Sequence, residues 1–434
     1  MRISPGDFSA SRMVSAVRTQ MKSGIFARGA MSYLIAFAGI SLMSFVYHSV
    51  VARILGNTHY GVVGALLGII SLLTVPLGAV QIAVTQAIVD KEEKGQSFSV
   101  VQVTWRSFVA GCVAMLLLAA SAPVIDGFLH ISSPIPIFLV AVWIPLATVS
   151  AVLQGALIGE YRFRAVAFAS FVGIGVVRLV LGDVLVQVGL GVSGAVAATI
   201  FAQAFTMFSL LYSARHELLG HRHASVVTTK LRDTVLSVAA LGGYTTLIGI
   251  DTFLAQHYFV SGAAGKYAAV AVAAHIAFFI PAALVTVAFP HFADGKGANE
   301  ASRRTFQQTL RASVSLGVLA AAVMTALPTL TIRILFGSKY AGAGAVLGQL
   351  SFASVAVGLL ILFTYLHLAR RSIMALTPWV GVILAVVLIA IFHQSANEVA
   401  LIMLIVSVLT MVISGVPALR WEIEHHDEAA SPLS

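Results

Sequence analysis

Charged residues are scarce in this sequence. Only 10% of its 434 residues are Asp, Glu, Lys or Arg, whereas 59% are hydrophobic. Soluble domains carry roughly 25% charged residues, because a surface that faces water needs charge to stay dispersed. The composition therefore excludes a large soluble domain and indicates a chain whose main solvent is lipid.

Cysteine and phosphate-binding loops are also scarce. The single cysteine, Cys112, lies in an apolar run, which excludes a disulfide framework and a cysteine metal site. The cluster of His216, His221 and His223 lies in a basic loop, where a solvated connector is the simpler interpretation and metal binding the alternative. No Gly-x-x-x-x-Gly-Lys-Ser/Thr sequence occurs, so ATP hydrolysis through such a loop is excluded. We predict no metal and no cofactor.

Long apolar runs, in contrast, fill the chain. A helix needs about 20 apolar residues to cross the hydrocarbon core, and the sequence predicts an all-α membrane protein of about twelve such helices. The first is predicted to be a retained helix, because its apolar run is too long for the core of a signal peptide. The predicted spans are 29–52, 61–89, 103–124, 135–157, 165–187, 190–213, 234–257, 267–292, 309–331, 342–367, 373–393 and 398–418.

Lysine and arginine alternate between the predicted loops. With the N-terminus in the cytoplasm, about 21 of them fall in inner segments and about 4 in outer ones. This asymmetry predicts an inner-membrane protein with both termini in the cytoplasm. The formal net charge of +9 then faces anionic lipid headgroups, and we predict no nucleic-acid partner.

The second and eighth predicted helices begin alike. Residues 55–61 read Leu-Gly-Asn-Thr-His-Tyr-Gly and residues 261–267 read Ser-Gly-Ala-Ala-Gly-Lys-Tyr. Each turn precedes an apolar stretch with one central proline, Pro76 or Pro281. Because each half would hold six helices, both halves enter the membrane with the same orientation, which predicts a parallel repeat about an axis along the membrane normal.

The repeat predicts a division into two bundles that rock against each other. We divide the chain into a basic tail 1–28, a six-helix bundle 29–220, a second bundle 221–420 and a tail 421–434. Because proline removes one backbone hydrogen bond from a helix, Pro76 and Pro281 are hinge candidates, with static kinks as the alternative.

Several short motifs are distributed in order along nearly the whole chain. They are Val51-Ala52-Arg53-Ile54-Leu55-Gly56 with Tyr60-Gly61, Leu153-Gln154-Gly155-Ala156 with Arg162-Phe163 and Arg178-Leu179, Gly191-Val192-Ser193-Gly194-Ala195, Asp251 with Gly262 and Tyr267, and Leu335-Phe336-Gly337-Ser338-Lys339-Tyr340. The set resembles Wzx-type polysaccharide flippases, a branch of the multidrug/oligosaccharidyl-lipid/polysaccharide (MOP) exporter superfamily that also contains the MATE transporters. The resemblance implies a V-shaped pair of six-helix bundles and transport of a lipid-linked saccharide across the cytoplasmic membrane.

Ionisable residues within the predicted spans are the first site candidates, because burying charge in hydrocarbon is costly unless the charge is paired or hydrated. Arg178 suits a phosphate, since its planar fork matches that anion; a structural pair with a carboxylate is the alternative. Asp251 is a candidate for coupling to a proton or sodium ion. His48 and His275 are candidates for relaying protons, or for simply bonding a neighbour. A contact between Arg178 and Asp251 across the cleft is also conceivable.

Uncharged polar residues supply the remaining candidates. Tyr47, Gln81 and Gln86 are predicted to line a polar cleft with Arg178 and to contact substrate, although polar side chains also serve ordinary packing between helices. Around Asp251, we expect Thr245 and Thr246 to offer further oxygen atoms and Thr252 to face elsewhere.

These features together predict a flippase that moves a lipid-linked oligosaccharide, linked through a polyprenyl pyrophosphate, by alternating access. Glycan assembly proteins are further expected partners. A MATE-type small-molecule exporter and a transport-inactive scaffold are the alternatives. An enzyme such as a glycan polymerase is disfavoured, because its chemistry needs an outer loop with several polar groups and the predicted outer loops are short.

Overall fold

The computed structural model describes residues 24–94, 99–131, 133–215, 231–293, 300–370 and 372–430, and all regular structure within these ranges is helical. This confirms the predicted all-α class, in which each helix satisfies its own backbone hydrogen bonds within lipid. The helices are α1 Gly24–Lys94, α2 Val100–Ala120, α3 Ala122–Leu129, α4 Ile135–Gly159, α5 Phe163–Ser170, α6 Arg178–Leu185, α7 Gly191–Ser213, α8 Leu231–Tyr258, α9 Ser261–Ala293, α10 Glu300–Ala326, α11 Pro328–Phe336, α12 Leu347–Ala369, α13 Thr377–Ile391 and α14 Ala396–Ala430.

Helix α1 consists of two crossings. The backbone of Gly56 has φ 73° and ψ 176°, a conformation that glycine adopts without the steric cost of a Cβ atom. A hydrogen bond of 2.9 Å joins His48 to Tyr60, whereas twelve residues of straight helix would separate them by about 18 Å. The chain therefore reverses at Gly56, and we name the two parts α1a (24–55) and α1b (57–94).

The stretch 163–213 also folds back on itself. Helices α5 and α6 are joined by a π-helical segment, Phe171–Val177, and a second one, Val186–Leu190, leads to α7. Gly189 has φ 95°, and beyond it Thr206 donates to the carbonyl of Ala169 at 3.4 Å. The described residues contain ten long apolar spans, two of them 51 residues long. Because each of these two reverses at a glycine, the predicted count of about twelve crossings is confirmed.

The repeat axis passes between α1b and α9. The side-chain amide of Asn57 donates to the carbonyl of Gly262 at 3.4 Å, and these positions are 205 residues apart, the same separation as between Pro76 and Pro281 of the sequence repeat. Gly61 also packs closely here, since an added Cβ atom would come within 3.0 Å of the Gly265 backbone nitrogen. Equivalent positions of two repeats contact each other only at their common axis, so the repeated turns meet there and join the two bundles.

A first seam joins the bundles on one side of this axis, at the end that holds Gly56. The Tyr340 hydroxyl donates to the carbonyl of Ala52 at 2.9 Å, and the Lys339 ammonium donates to the carbonyl of Arg53 at 3.1 Å. Ser49 and Arg53 donate in turn to carbonyls of α11. The end of α1a is thereby attached to the turn that follows α11.

A second seam closes the same end on the other side of the axis. His257 of α8 bonds the carbonyl of Phe128 at 2.7 Å, and its ring stacks on the Phe128 ring with centroids 3.8 Å apart. Gln256 donates to the carbonyl of Leu129 at 3.1 Å. The two seams are equivalent. In each, the end of the first crossing of one half contacts the connection between the third and fourth crossings of the other half. This end of the molecule is closed.

The two hinge candidates lie in different surroundings. Helices α1b and α9 continue past Pro76 and Pro281. Pro281 is buried against Gly358, where an added Cβ atom would come within 2.9 Å of the proline ring, whereas Pro76 is exposed. Their role as hinges stays a prediction, as do the boundaries of the two bundles. The histidine cluster at 216–223 lies outside the described residues.

Candidate functional site

The first bundle encloses a cavity of about 360 Å³ between α1a, α1b, α4, α6 and α7, together with the π-helical segment before α6. We call it the polar cavity. Among its lining residues in the described part of the chain, Arg178 is the only one with a permanent charge. The polar lining residues are Ser44, His48, Ser71, Thr74, Gln81, Ser150, Gln154, Arg178, Thr199 and Gln203.

Arg178 is buried, with 9% of its surface exposed, and it begins α6 directly after a π-helical segment, a feature that is frequent at functional sites. Its Nε atom donates to Thr199 at 3.2 Å and its Nη1 atom to Ser44 at 3.3 Å. Within the described ranges, Arg178 forms no ion pair with a carboxylate. The structural carboxylate pair considered from the sequence is therefore not formed there, and the guanidinium keeps hydrogen-bond donors for an anion.

The aromatic ring of Tyr47 packs against the guanidinium of Arg178. The guanidinium carbon lies 4.1 Å from the centroid of the Tyr47 ring, within the range of a cation–π interaction. The Tyr47 hydroxyl donates to the carbonyl of Ala195 at 2.7 Å, and a Cβ atom at Gly182 would come within 2.5 Å of the ring. Tyr47 is thus fixed under Arg178 and is not among the residues that line the cavity.

The two glutamines predicted to line the cleft occupy different surroundings. Gln81 lines the polar cavity, whereas Gln86, five residues further along α1b, is exposed and does not. The structure adds Gln154 and Gln203, which sequence reasoning did not select as site residues. The only available signal was an amide side chain within a long apolar run, and that signal does not say which face of the helix the residue occupies.

His48 lies where the polar cavity meets a second space. This second space, which we call the apolar cleft, has a volume of about 600 Å³ and lies between α1b, α8 and α9, with Leu72, Phe253, Phe278 and Phe279 in its wall. His48, Leu67, Ser71 and Thr74 line both spaces. The Nδ1 atom of His48 shares its hydrogen bond with Tyr60, so the ring is oriented by the tyrosine of the first repeated turn.

Asp251 occupies the second bundle and is 3% exposed. Its carboxylate accepts hydrogen bonds from the Tyr267 hydroxyl at 2.9 Å and from the Thr252 backbone N–H at 2.7 Å. The expectation for its threonine neighbours was wrong. Thr252 also places its hydroxyl 3.4 Å from the carboxylate, because a side chain next in sequence can bond locally. Thr245 and Thr246 instead donate to carbonyls of their own helix.

Beside Asp251 lies a small pocket of about 20 Å³, lined also by His275, Ser354 and Ser407. A space of ~10–15 Å³ is enough for one water molecule, so this pocket admits a particle of that size. The Nε2 atom of His275 bonds the carbonyl of Ile248 at 3.1 Å, while the buried Ser407 hydroxyl has no partner among the described residues. Arg178 and Asp251 line separate spaces and do not contact each other.

Comparison with known proteins adds family and fold. Residues 50–345 match the family described as "Polysaccharide biosynthesis protein", and no curated protein matches the chain. An inward-facing structure of a multidrug resistance MATE family transporter of the MOP superfamily is 14% identical, with a TM-score of 0.69 over 90% of this chain and 96% of that one. Its outward-facing counterpart is 13% identical, with a TM-score of 0.65 over 93% and 96%.

A third solved structure is a MOP superfamily transporter from Pyrococcus furiosus, described as having a binding pocket of reverse polarity. It is 13% identical, with a TM-score of 0.58 over 92% of this chain and 95% of that one. The three likenesses show that the chain has the MATE-like fold, and they confirm the predicted pair of six-helix bundles.

Proposed function

Since this chain belongs to the polysaccharide biosynthesis protein family and is a multi-pass membrane protein with the fold of the MOP transporters, we propose that it is a flippase for a lipid-linked oligosaccharide. The cargo is a saccharide joined through phosphate to a polyprenyl lipid. It crosses the cytoplasmic membrane by alternating access, without catalysis by the protein.

The observation that carries this proposal is the buried Arg178 in the polar cavity. A buried cation is stable only with a partner, and the described partners of its donors are two hydroxyl groups. A phosphate oxygen supplies the missing charge, and the guanidinium fork binds it with two parallel hydrogen bonds. The cavity is therefore suited to an anionic headgroup and unsuited to a cationic drug.

The apolar cleft supports a cargo with a lipid tail. It shares four lining residues with the polar cavity, so an amphiphile can place its phosphate at Arg178 and its first lipid units beside Phe278 and Phe279. Water-soluble cargo would leave this apolar surface uncovered. A small-molecule exporter of the MATE type is the second candidate, and only the likeness of the fold favours it.

The seams support alternating access. We propose that the closed end faces the outside, as the distribution of lysine and arginine predicts, and that the structure corresponds to a state open to the cytoplasm. Outward opening then requires both seams to part while the bundles rock about the contact between α1b and α9. The membrane bilayer and glycan assembly proteins are the expected partners.

Coupling is proposed to reside in the second bundle. Asp251, with His275 beside it, faces a pocket suited to a proton or a small cation, and His48 lies between the two large spaces. An ion that binds Asp251 more tightly in the inward-open state than in the outward-open state, or the reverse, shifts the equilibrium between these two states by that difference in affinity.

The test is flipping of a short-chain polyprenyl-pyrophosphoryl N-acetylglucosamine in proteoliposomes made with purified protein. We expect the wild type to move the lipid and Arg178→Ala to lose this activity. Arg333→Ala serves as control, because Arg333 is exposed and lies outside the cavity. The proposal is wrong if the wild type leaves the probe on its original side while it exports a cationic dye.

A further inference from the structure

The polar cavity has an unusual balance of chemical groups. Its lining in the described chain contains one guanidinium, three primary amides and several hydroxyls, and it contains neither a carboxylate nor a second permanent cation. The phosphate that carries the sugar neutralises the guanidinium. The rest of a bound headgroup then meets only neutral polar groups, so the lining itself restricts the charge of the cargo.

Two of the amides have no hydrogen-bond partner among the described residues. The side chains of Gln81 and Gln154 line the cavity and form no hydrogen bond within the described ranges. Gln203 differs, because its amide nitrogen donates to Ser150 at 2.8 Å and this bond fixes its orientation. Gln81 and Gln154 therefore have both donors and acceptors to offer a ligand.

Close packing keeps these two glutamines together. The residue after Gln154 is Gly155, and a Cβ atom there would come within 2.5 Å of the Gln81 carbonyl oxygen. Thr85 donates to the carbonyl of Gly155 at 3.0 Å. Helices α1b and α4 are thus in backbone contact where they carry the pair, and this contact holds the two amides as one unit in the wall of the cavity that Arg178 also lines.

The chemistry of this unit matches an uncharged sugar. An amide both donates and accepts hydrogen bonds, as hydroxyl and acetamido groups of a sugar require. A uronic acid would add a further negative charge directly on the sugar that meets these amides, and a buried charge without a partner is strongly destabilising. The buried Trp143 provides an apolar wall, against which a sugar face can pack.

We propose that Gln81 and Gln154 determine specificity by binding the sugar attached directly to the phosphate, and that the cavity selects a neutral sugar over one with a carboxylate. This inference rests on the proposed flippase function. A soluble sugar phosphate shares the same chemistry as a lipid-linked one, and the apolar cleft favours the lipid-linked form.

Transport provides the first test. Flipping in proteoliposomes is compared for short-chain polyprenyl-pyrophosphoryl N-acetylglucosamine and for the corresponding glucuronic acid lipid. We expect the neutral probe to be transported at least about tenfold faster. Gln81→Leu and Gln154→Leu each raise its KM about fivefold, the loss expected for an unmade hydrogen bond. Gln86→Leu is the matched control on the same helix and leaves the KM unchanged. Gln154→Lys supplies the missing cation and speeds transport of the acidic probe.

Binding provides a readout that does not depend on flipping. The chain has four tryptophans, so replacing Trp105, Trp379 and Trp421 by Phe leaves Trp143 as a fluorescent reporter in the cavity. N-acetylglucosamine 1-phosphate is expected to change its emission at lower concentration than glucuronic acid 1-phosphate does. Gln81→Asn and Gln154→Asn, which keep an amide, serve as variants that preserve the fold, and gel filtration checks each protein.

The outcomes separate the two proposals. Equal transport and equal binding of neutral and acidic probes overturn the specificity inference while the flippase function stands. A second outcome is a protein that binds the neutral probe selectively, loses this binding in both leucine variants and flips neither lipid. That result supports the inference and overturns the flippase function. Unchanged neutral-sugar binding in both leucine variants removes the two glutamines from recognition.

Discussion

The two bundles share one framework but bury different ionisable residues, a basic one in the first and an acidic one in the second. The first bundle surrounds Arg178 with a cavity of about 360 Å³, whereas the second surrounds Asp251 with a pocket of about 20 Å³. One space is large enough for a headgroup and the other only for a particle of about the size of water. The repeat therefore duplicates the path of the chain without duplicating the chemistry.

The repeated turns show how closely the frameworks correspond. The tyrosine that follows the first turn, Tyr60, bonds His48 at 2.9 Å, and the tyrosine that follows the second, Tyr267, bonds Asp251 at 2.9 Å. In each bundle the turn tyrosine thus holds an ionisable residue of the preceding crossing. A base occupies this place in one bundle and an acid in the other. We infer that cargo and coupling ion are divided between the bundles, and four experiments test the rocking of the bundles and this division.

Locking the bundles together should have the largest effect. Cysteines introduced as Phe128→Cys and His257→Cys replace the two stacked rings of the second seam, in a background where the single native cysteine is removed by Cys112→Ala. A short bis-maleimide that bridges them is expected to abolish flipping, because the closed end can no longer open. Each single-cysteine protein treated in the same way is the control. Undiminished flipping after complete cross-linking contradicts the rocking of two bundles.

Removing the positive charge of the first bundle should have the next largest effect. Arg178→Ala is expected to slow flipping about 100-fold, since hydrogen bonds to charged groups contribute ~1.5–3 kcal/mol each. Arg178→Lys is expected to be intermediate, because an ammonium keeps the charge but loses the planar fork. The initial flipping rate is the measurement. A rate for Arg178→Ala within twofold of the wild type would show that the first bundle does not bind the phosphate.

Neutralising the acid of the second bundle should change coupling more than cargo binding. Asp251→Asn keeps the shape of the side chain and removes its charge, so we expect flipping to fall about tenfold and to stop responding to an imposed proton or sodium gradient. Binding of N-acetylglucosamine 1-phosphate should stay unchanged. Asp183→Asn, at a half-buried position outside the pocket and bonded to Gln187, is the matched control. Lost sugar-phosphate binding in Asp251→Asn would mean that the bundles are not divided in this way.

Changing the support of Arg178 should have the smallest effect. Tyr47→Leu removes the ring beneath the guanidinium and is expected to weaken sugar-phosphate binding about fivefold, as a cation–π interaction contributes ~0.5–2 kcal/mol. Tyr47→Phe keeps the ring and loses the hydroxyl that bonds the Ala195 carbonyl, so its binding should remain close to that of the wild type. Equal weakening in both variants would assign the effect to the hydroxyl.

Much of the fold and part of the site were predictable from the sequence. Arg178 and Asp251 were recognisable because ionisable residues are rare in apolar runs, and the turn at Gly56 was recognisable because polar residues interrupt the apolar run there. The turn at Gly189 had a weaker signal, since only Val188 and Gly189 separate the two predicted spans. Gln81 and Gln86 could not be told apart, since both occur in the same apolar helix. Only packing against α4 shows that Gln81 faces the cavity.

The amino-acid sequence by itself determined how often this chain crosses the membrane, because the thickness of the hydrocarbon core sets the length of each apolar helix. Only the tertiary structure decided which polar groups meet. Arg178 bonds Ser44 from 134 residues earlier and Thr199 from 21 residues later. Such contacts depend on the approach and rotation of whole helices, and these follow from close packing at residues such as Gly155 and Gly182.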